Sequence, residues 1–228
     1  MAAAKQLGAW HADNTPLDVA LNISTKNLED PDFPDRLYQN CQNVGVDCAS
    51  MTLELTETGA LRDGGESMDA LTRLRLKGFR LSIDDFGTGC SSLMQLQKMP
   101  FSEVKIDQSF VMQMTENQGC KVIVQNVIDL AQKLGLKSVA EGVQDEATLR
   151  SLMAWGCDAV QGYYLSRPVV AELIPAFISE YRLRKVVREV AKRPPSPFAN
   201  PQAWHRRRTS ALRRRRSKPS FPSAIERT

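Results

Sequence analysis

Two adjacent carboxylates, Asp84 and Asp85, stand between an apolar segment and a turn that contains Gly87 and Gly89. Adjacent carboxylates repel each other, and burying them is costly unless a cation lies beside or between them. Carboxylate oxygens are also the ligands that Mg²⁺ and Mn²⁺ prefer. At the end of a strand, the pair therefore predicts a binding site for divalent metal ions.

Other apolar, strand-like segments of the chain end in the same way, in a residue that can bind metal or hold a proton. In chain order the residues are Asn22, Glu54 with the nearby Glu57, the Asp84–Asp85 pair, Lys105 with Asp107, Glu141 and Gln161. A parallel barrel brings the carboxyl ends of its strands to one face, where these side chains would converge. Core packing explains the set poorly, because Asp, Glu and Lys are rarely buried without partners.

Each of these residues has a simpler explanation when it is taken alone. Asn22 could cap a turn, Glu54 could point outward from a strand, and Lys105 could be an ordinary surface lysine. The glycines Gly87 and Gly89 could serve a tight turn and nothing else. Their common order along the chain is what favours a shared site.

Composition limits the chemistry that such a site could perform. The two histidines, His11 and His205, lie at opposite ends of the chain, which argues against a Ser-His-Asp triad and a His-rich zinc site. The five cysteines form no CxxC pair and are predicted to be free, structural thiols. Catalysis would have to depend on carboxylates, an amide, a lysine and metal ions.

The charge of the chain changes sharply towards its carboxyl end. Residues 184–228 contain 14 lysines and arginines and 2 acidic residues, whereas residues 1–183 have an excess of acidic residues. This break predicts a folded domain over 1–183 and a disordered, Pro/Arg-rich tail over 184–228. The tail could bind nucleic acid or an anionic membrane, but no folded nucleic-acid-binding motif accompanies it. A translated frameshift or a solvated extension, without a specific nucleic-acid partner, is the favoured interpretation.

Neither a membrane span nor a secretion signal is evident in the sequence. No run of about 18 apolar residues occurs, and the first residues lack the long apolar stretch of a signal peptide. The expected location is the cytoplasm.

The alternation of apolar and polar residues predicts strands that alternate with helices. Predicted strands are 17–23, 51–56, 79–83, 103–107, 137–140 and 159–161, and predicted helices are 1–10, 33–44, 68–76, 91–99, 119–135, 145–155 and 171–183. This order is typical of an α/β protein with parallel strand pairing, and a closed barrel of that kind has eight strands. The expected fold is an incomplete TIM-like (β/α) barrel that lacks the first two strands.

Six motifs in this order resemble the EAL domain, the bacterial phosphodiesterase of cyclic di-GMP. The resemblance runs from about Ala2 to Ile178 and rests on LNIS (21–24), LELTET (53–58), IDDFGTG (83–89), VKIDQSF (104–110), VAEGVQ (139–144) and QGYYLSRP (161–168). It implies a barrel that binds two Mg²⁺ or Mn²⁺ ions and hydrolyses cyclic di-GMP to linear pGpG. It also implies a homodimer that forms through elements near the Asp84–Gly89 loop.

The resemblance assigns a role to each matching residue. Asn22, Glu54, Asp84 and Glu141 correspond to metal ligands, Asp85 to the ligand of the second ion, Lys105 to the lysine that holds and helps to activate the attacking water, Gln161 to a glutamine near the metals and the water, Glu57 to a glutamate that steadies the Asp84–Gly89 loop, and Asp107 to an acid in the same network. Lys105, Glu141 and Gln161 are the implied catalytic set. A lysine close to two cations is expected to have a lowered pKa.

One departure from the family bears on activity. The signature Glu-Ala-Leu, whose glutamate binds metal, lies on the family's second strand and has no counterpart here; Ala171-Glu172-Leu173 falls on the last predicted helix. A truncated or mis-started reading frame is the expected origin, and activity is expected to be impaired. A module that binds the nucleotide or a protein partner without turnover is the alternative, and an unfolded pseudogene product is a third.

Overall fold

A parallel sheet of six strands, joined by helices, forms the centre of the computed structural model, which describes residues 2–57, 59, 66–89 and 93–183. The strands are β1 Val19–Asn22, β2 Met51–Thr56, β3 Arg80–Phe86, β4 Glu103–Ile106, β5 Lys137–Ala140 and β6 Ala159–Val160. They lie in sequential order, and every pair of neighbours is parallel. The predicted α/β class and incomplete TIM-like (β/α) barrel are confirmed, as a parallel half-barrel of six strands.

Helices connect the strands in the manner of a parallel barrel. They are α1 Ala2–Ala12, α2 Thr25–Leu28, α3 Phe33–Asn43, α4 Glu66–Leu76, α5 Leu93–Lys98, α6 Gln108–Val111, α7 Gln118–Leu134, α8 Glu146–Trp155 and α9 Ile174–Leu183, with single 3₁₀ turns at Cys48–Ser50 and Ala171–Leu173. Helices such as α7 and α8 bury an apolar stripe in the core. In α7 that stripe is Val124, Val127, Ile128 and Ala131.

The central strands are buried more completely than the first strand. All four residues of β4 are buried, whereas β1 alternates between half-buried and exposed positions. Within the described ranges β1 pairs only with β2, and β6 pairs only with β5. The sheet is therefore open between β1 and β6.

Several element boundaries differ from those the sequence predicts. Strand β3 was expected to end before Asp84, but it continues through both carboxylates to Phe86. The helix predicted over 171–183 is a 3₁₀ turn at Ala171–Leu173 followed by α9. The short helices α2 and α6 were not predicted, because four residues are too few to show helical periodicity.

The predicted tail at 184–228 and the predicted loop at 62–65 lie outside the described residues. The cysteines that the structure describes, Cys41, Cys48, Cys120 and Cys157, are free thiols, as predicted. In the part of the chain covered by the structure, none of the helices has the length and apolar character required to span a bilayer.

Candidate metal centre

Four neighbouring strands bring one charged side chain each to the carboxyl end of the sheet. Glu54 lies on β2, Asp84 on β3 and Lys105 on β4. Glu141 directly follows β5, where its backbone N–H donates to the carbonyl of Ile106 at 3.2 Å. Because carboxyl ends of parallel strands meet at one edge, four residues that are distant in sequence become neighbours in space.

Lys105 is the centre of this group. Its ammonium nitrogen lies 3.0 Å from an oxygen of Glu54, 3.0 Å from Asp84 and 2.6 Å from Glu141. Its side chain is only 6% exposed. Three carboxylates therefore use the three N–H donors of one buried cation.

The surroundings of Lys105 raise its pKa above the ordinary value. Burial alone would lower that pKa, but the hydrogen bonds to Glu141, Asp84 and Glu54 outweigh burial. Lys105 is thus firmly protonated while these carboxylates are its only charged neighbours. The lowered pKa that the resemblance implies concerns a lysine beside two cations and stays a prediction.

The carboxylates of this group are not fully compensated by one lysine. Burial raises the pKa of Glu54, and the attraction of Lys105 only partly opposes that rise. Burial and the neighbouring Asp84 likewise raise the pKa of Asp85. Negative charge is therefore in excess at this end of the sheet, and a cation would stabilise the ionised carboxylates.

Three of the carboxylates are arranged as a cation would require. One oxygen each from Asp84, Asp85 and Glu141 lies within 4.8 Å of the other two. All three side chains are partly buried, and hard oxygen donors suit Mg²⁺ and Mn²⁺. The residues present thus fit a divalent ion, and among the described residues this is the one group with that arrangement.

The backbone at Asp85 is unusual for a residue other than glycine. Its φ is +55°, in the left-handed region, and the register between β3 and β4 shifts between Ile83 and Phe86. The amide of Asp85 donates to a carboxylate oxygen of Asp84 at 3.1 Å. This irregularity allows two successive side chains to face the same site, although successive residues of a regular strand point to opposite faces.

Asp107 lies next to Asp85 and is fixed by the start of helix α6. Its carboxylate accepts hydrogen bonds from the backbone N–H of Ser109, at 2.9 Å, and from the Ser109 hydroxyl. Its charge contributes to the raised pKa of Asp85, after burial and Asp84. The structure thus places Asp107 beside the carboxylate group.

Glu57 holds the turn that follows the two carboxylates. The residue is only 3% exposed. Its carboxylate accepts hydrogen bonds from the N–H of Gly87 at 2.9 Å and from the N–H of Gly89 at 3.3 Å. A buried carboxylate that receives backbone N–H groups is a strong, charge-assisted anchor. The turn is therefore tied to the end of β2.

The remaining two predicted site residues lie at the open edges of the sheet. Asn22 on β1 is in register with Glu54, and Gln161 follows β6. Both side chains are exposed. Lys105, Glu54, Asp84 and Glu141 are thus brought into direct contact, whereas Asn22 and Gln161 stand apart from those contacts within the described structure.

Comparison with known proteins identifies the family. A sequence profile of the EAL domain matches residues 1–168. The cyclic di-GMP phosphodiesterase PA2567 of Pseudomonas aeruginosa is 36% identical over 170 residues, which cover 75% of this chain and 29% of that protein. The chain spans about a quarter of the length of the curated relatives it matches.

Solved structures agree with the sequence comparison. The PaMucR phosphodiesterase, solved as a c-di-GMP complex, is similar with a TM-score of 0.72 and 34% identity, over 76% of this chain and 70% of that one. Klebsiella pneumoniae BlrP1, solved with manganese and cyclic di-GMP, has a TM-score of 0.68 and 28% identity, over 74% and 43%. With the parallel half-barrel and the carboxylate–lysine group in place, these matches show that the chain belongs to the EAL domain family.

Proposed function

We propose that the chain hydrolyses one phosphodiester bond of cyclic di-GMP, giving linear pGpG, with two Mg²⁺ or Mn²⁺ ions. The observation that carries this proposal is the buried Lys105 among Glu54, Asp84 and Glu141, beside the Asp84–Asp85–Glu141 oxygens. Structural stability gives no reason to gather so many carboxylates around one cation. Relatives named as cyclic di-GMP phosphodiesterases support the choice of substrate.

The donor set indicates which residues would hold the ions. Asp84, Asp85 and Glu141 supply oxygens close enough to share cations. Glu54 and Asn22 are the further ligands that we propose, and Gln161 lies at the same end of the sheet. Divalent ions in such a site lower the pKa of a water and neutralise charge on the phosphate.

Lys105 would take a second role once the carboxylates bind cations. Its N–H groups, which donate to Glu54, Asp84 and Glu141, would then be available to orient the attacking water. Water attack at phosphorus breaks one P–O3′ bond, and the 3′ oxygen leaves with a proton. The product keeps its phosphate at the 5′ end, as pGpG does. Lys105 would stabilise the developing negative charge on the phosphate.

The decisive experiment is chromatographic. The purified chain is incubated with cyclic di-GMP and Mn²⁺, beside an Asp84→Ala control, and the nucleotides are separated. Linear pGpG from the wild type alone supports the proposal. Absence of pGpG from both proteins contradicts it.

Binding of cyclic di-GMP without turnover is the second candidate. The exposed positions of Asn22 and Gln161, at the two open edges of the sheet, favour it, because fewer groups then converge on the cations. Calorimetric binding of cyclic di-GMP without any pGpG would select this candidate.

Four further expectations stay predictions: impaired turnover, a homodimer near the Asp84–Gly89 loop, a folded domain bounded at residue 183 and a cytoplasmic location.

A further inference from the structure

Helix α6, Gln108–Val111, packs against the turn that follows the two adjacent carboxylates. Gly87 has a φ of +101°, and a Cβ placed on it would lie 3.2 Å from Cε2 of Phe110. The ring of Phe110 therefore occupies the space beside the backbone of Gly87. Since Gly87 comes two residues after Asp85, the ring limits where that turn can lie.

The same short helix packs against the loop that follows β5. Gly142, with a φ of +72°, comes directly after Glu141. A Cβ on Gly142 would lie 2.6 Å from Cβ of Gln108 and 3.2 Å from Cγ of Met112. The loops after β3 and β5, the two strands that flank β4, thus both pack against helix α6. Each loop does so at a glycine with a positive φ.

Each of the two loops is also held by hydrogen bonds to residues outside helix α6. Glu57 accepts the N–H groups of Gly87 and Gly89. The backbone of Val143 donates to the carbonyl of Gln161 at 3.0 Å and accepts from Tyr164 at 3.0 Å. Helix α6 is therefore in contact with both loops, through Phe110 at the turn of Gly87 and through Gln108 at Gly142.

We propose that Phe110 is a positioning residue for the metal centre, which fixes the Asp84–Gly89 turn relative to Glu141 and thereby sets the affinity for divalent cations. This inference rests on the proposed function, because it assumes that those carboxylates bind Mg²⁺ or Mn²⁺. Phe110 itself bonds to no ion or substrate. It acts through the position of Asp84 and Asp85, as residues that support metal ligands commonly do.

The test compares Phe110→Ala with Phe33→Ala. Both side chains are half-buried and aromatic, but Phe33 begins helix α3, outside the ligand loops. We expect Phe110→Ala to raise the calorimetric dissociation constant for Mn²⁺ roughly tenfold or more. Phe33→Ala should lower the melting temperature without changing Mn²⁺ affinity. Equal Mn²⁺ affinities for Phe110→Ala and the wild type would overturn the inference.

Amide hydrogen exchange in EDTA provides a readout that is independent of metal. The amides of Gly87 and Gly89 should exchange about tenfold faster in Phe110→Ala than in the wild type, and at wild-type rates in Phe33→Ala. Unchanged rates in Phe110→Ala would contradict a positioning role. If the wild type binds no Mn²⁺, the proposed function fails, and this exchange result alone decides whether Phe110 positions the turn.

A double variant tests the contact itself. Gly87→Ala introduces a Cβ close to the Phe110 ring and also strains the backbone at a φ of +101°, so it should weaken Mn²⁺ binding for both reasons. In Gly87→Ala/Phe110→Ala the backbone strain remains but the close contact is gone, so the two effects should add to less than their sum. Additive effects on Mn²⁺ affinity would show that the ring and the turn act separately, and would overturn the inference.

Discussion

The two ends of the sheet differ in how their charged side chains are paired. At the amino ends of the strands, two ion pairs each join one positive and one negative side chain: Arg80 pairs with Asp18 at 2.8 Å, and Lys137 pairs with Glu103 at 3.0 Å. At the carboxyl ends, Lys105 alone serves three carboxylates, and Asp85 adds a fourth negative group nearby.

This difference separates a structural arrangement from a functional one. The ion pairs at the amino ends balance one charge with another and link residues at or next to the starts of different strands. An excess of buried carboxylates costs free energy of folding, because desolvation disfavours each ionised group. A protein keeps such an arrangement where a ligand compensates for the cost, and the unusual φ of Asp85 at the same place points in the same direction.

The largest expected effect comes from removing the buried cation. Lys105→Met leaves Glu54, Asp84 and Glu141 without a positive partner, so we expect a loss of about 3–5 kcal/mol in the free energy of unfolding in EDTA. Mn²⁺ should stabilise this variant more than it stabilises the wild type, because the ions replace the missing charge. Urea unfolding with EDTA and with Mn²⁺ measures both effects.

Lys137→Met is the matched change at the amino ends. The Lys137 side chain is 48% exposed, so solvent screens its pair with Glu103, and the expected loss is about 1 kcal/mol. Mn²⁺ should not restore the lost free energy of unfolding in this variant. Equal losses for the two lysine variants, or equal rescue by Mn²⁺, would remove the distinction between the two ends.

The next effect concerns affinity for the cation. Asp84→Asn removes one negative charge from the group of three carboxylates that we propose as ligands, and it should raise the Mn²⁺ dissociation constant by roughly tenfold or more. Glu103→Gln, on the neighbouring strand but at the amino end, should leave Mn²⁺ affinity unchanged. Titration calorimetry measures the Mn²⁺ dissociation constants of the two variants. Unchanged affinity in Asp84→Asn would place the cation elsewhere.

Apolar runs with clear ends made much of the sheet predictable. Strands β2 and β5 have the bounds that the sequence predicts, Met51–Thr56 and Lys137–Ala140. The predicted end of β3 was wrong because adjacent carboxylates and glycines are typical of a turn, whereas here a shifted register carries the strand to Phe86. Local sequence rules cannot predict such a shift, because it depends on the pairing of β3 with β4.

The sequence proposed the carboxylates and Lys105 as one site but could not show which of them touch. The direct contacts of Lys105 join strands that lie far apart in the chain. Sequence reasoning missed Phe110 and Gly142 altogether. One signal was present, since Asp107 and Ser109 form the cap of a helix, and that cap could have revealed α6 beside the site.

The smallest effect distinguishes two kinds of carboxylate at the same end of the sheet. Asp145 follows Glu141 by four residues but caps helix α8, where it accepts the Thr148 backbone N–H at 2.7 Å and the Thr148 hydroxyl at 2.9 Å. These hydrogen bonds lower the pKa of Asp145, whereas burial raises that of Asp85. A capping carboxylate is therefore stabilised by the protein itself and has no need of a cation.

A lowered pKa in the folded state fixes the direction of the pH dependence. The contribution of Asp145 is present at pH values above its ordinary pKa and is lost as the pH falls through the lowered one. Asp145→Ala should cost about 1 kcal/mol at neutral pH and little in acid. Asp145→Asn should keep the cap at neutral pH and lose this pH dependence. Thermal unfolding in EDTA from neutral to acidic pH measures both effects. If Mn²⁺ changed the effect of either substitution, Asp145 would belong with the proposed metal ligands.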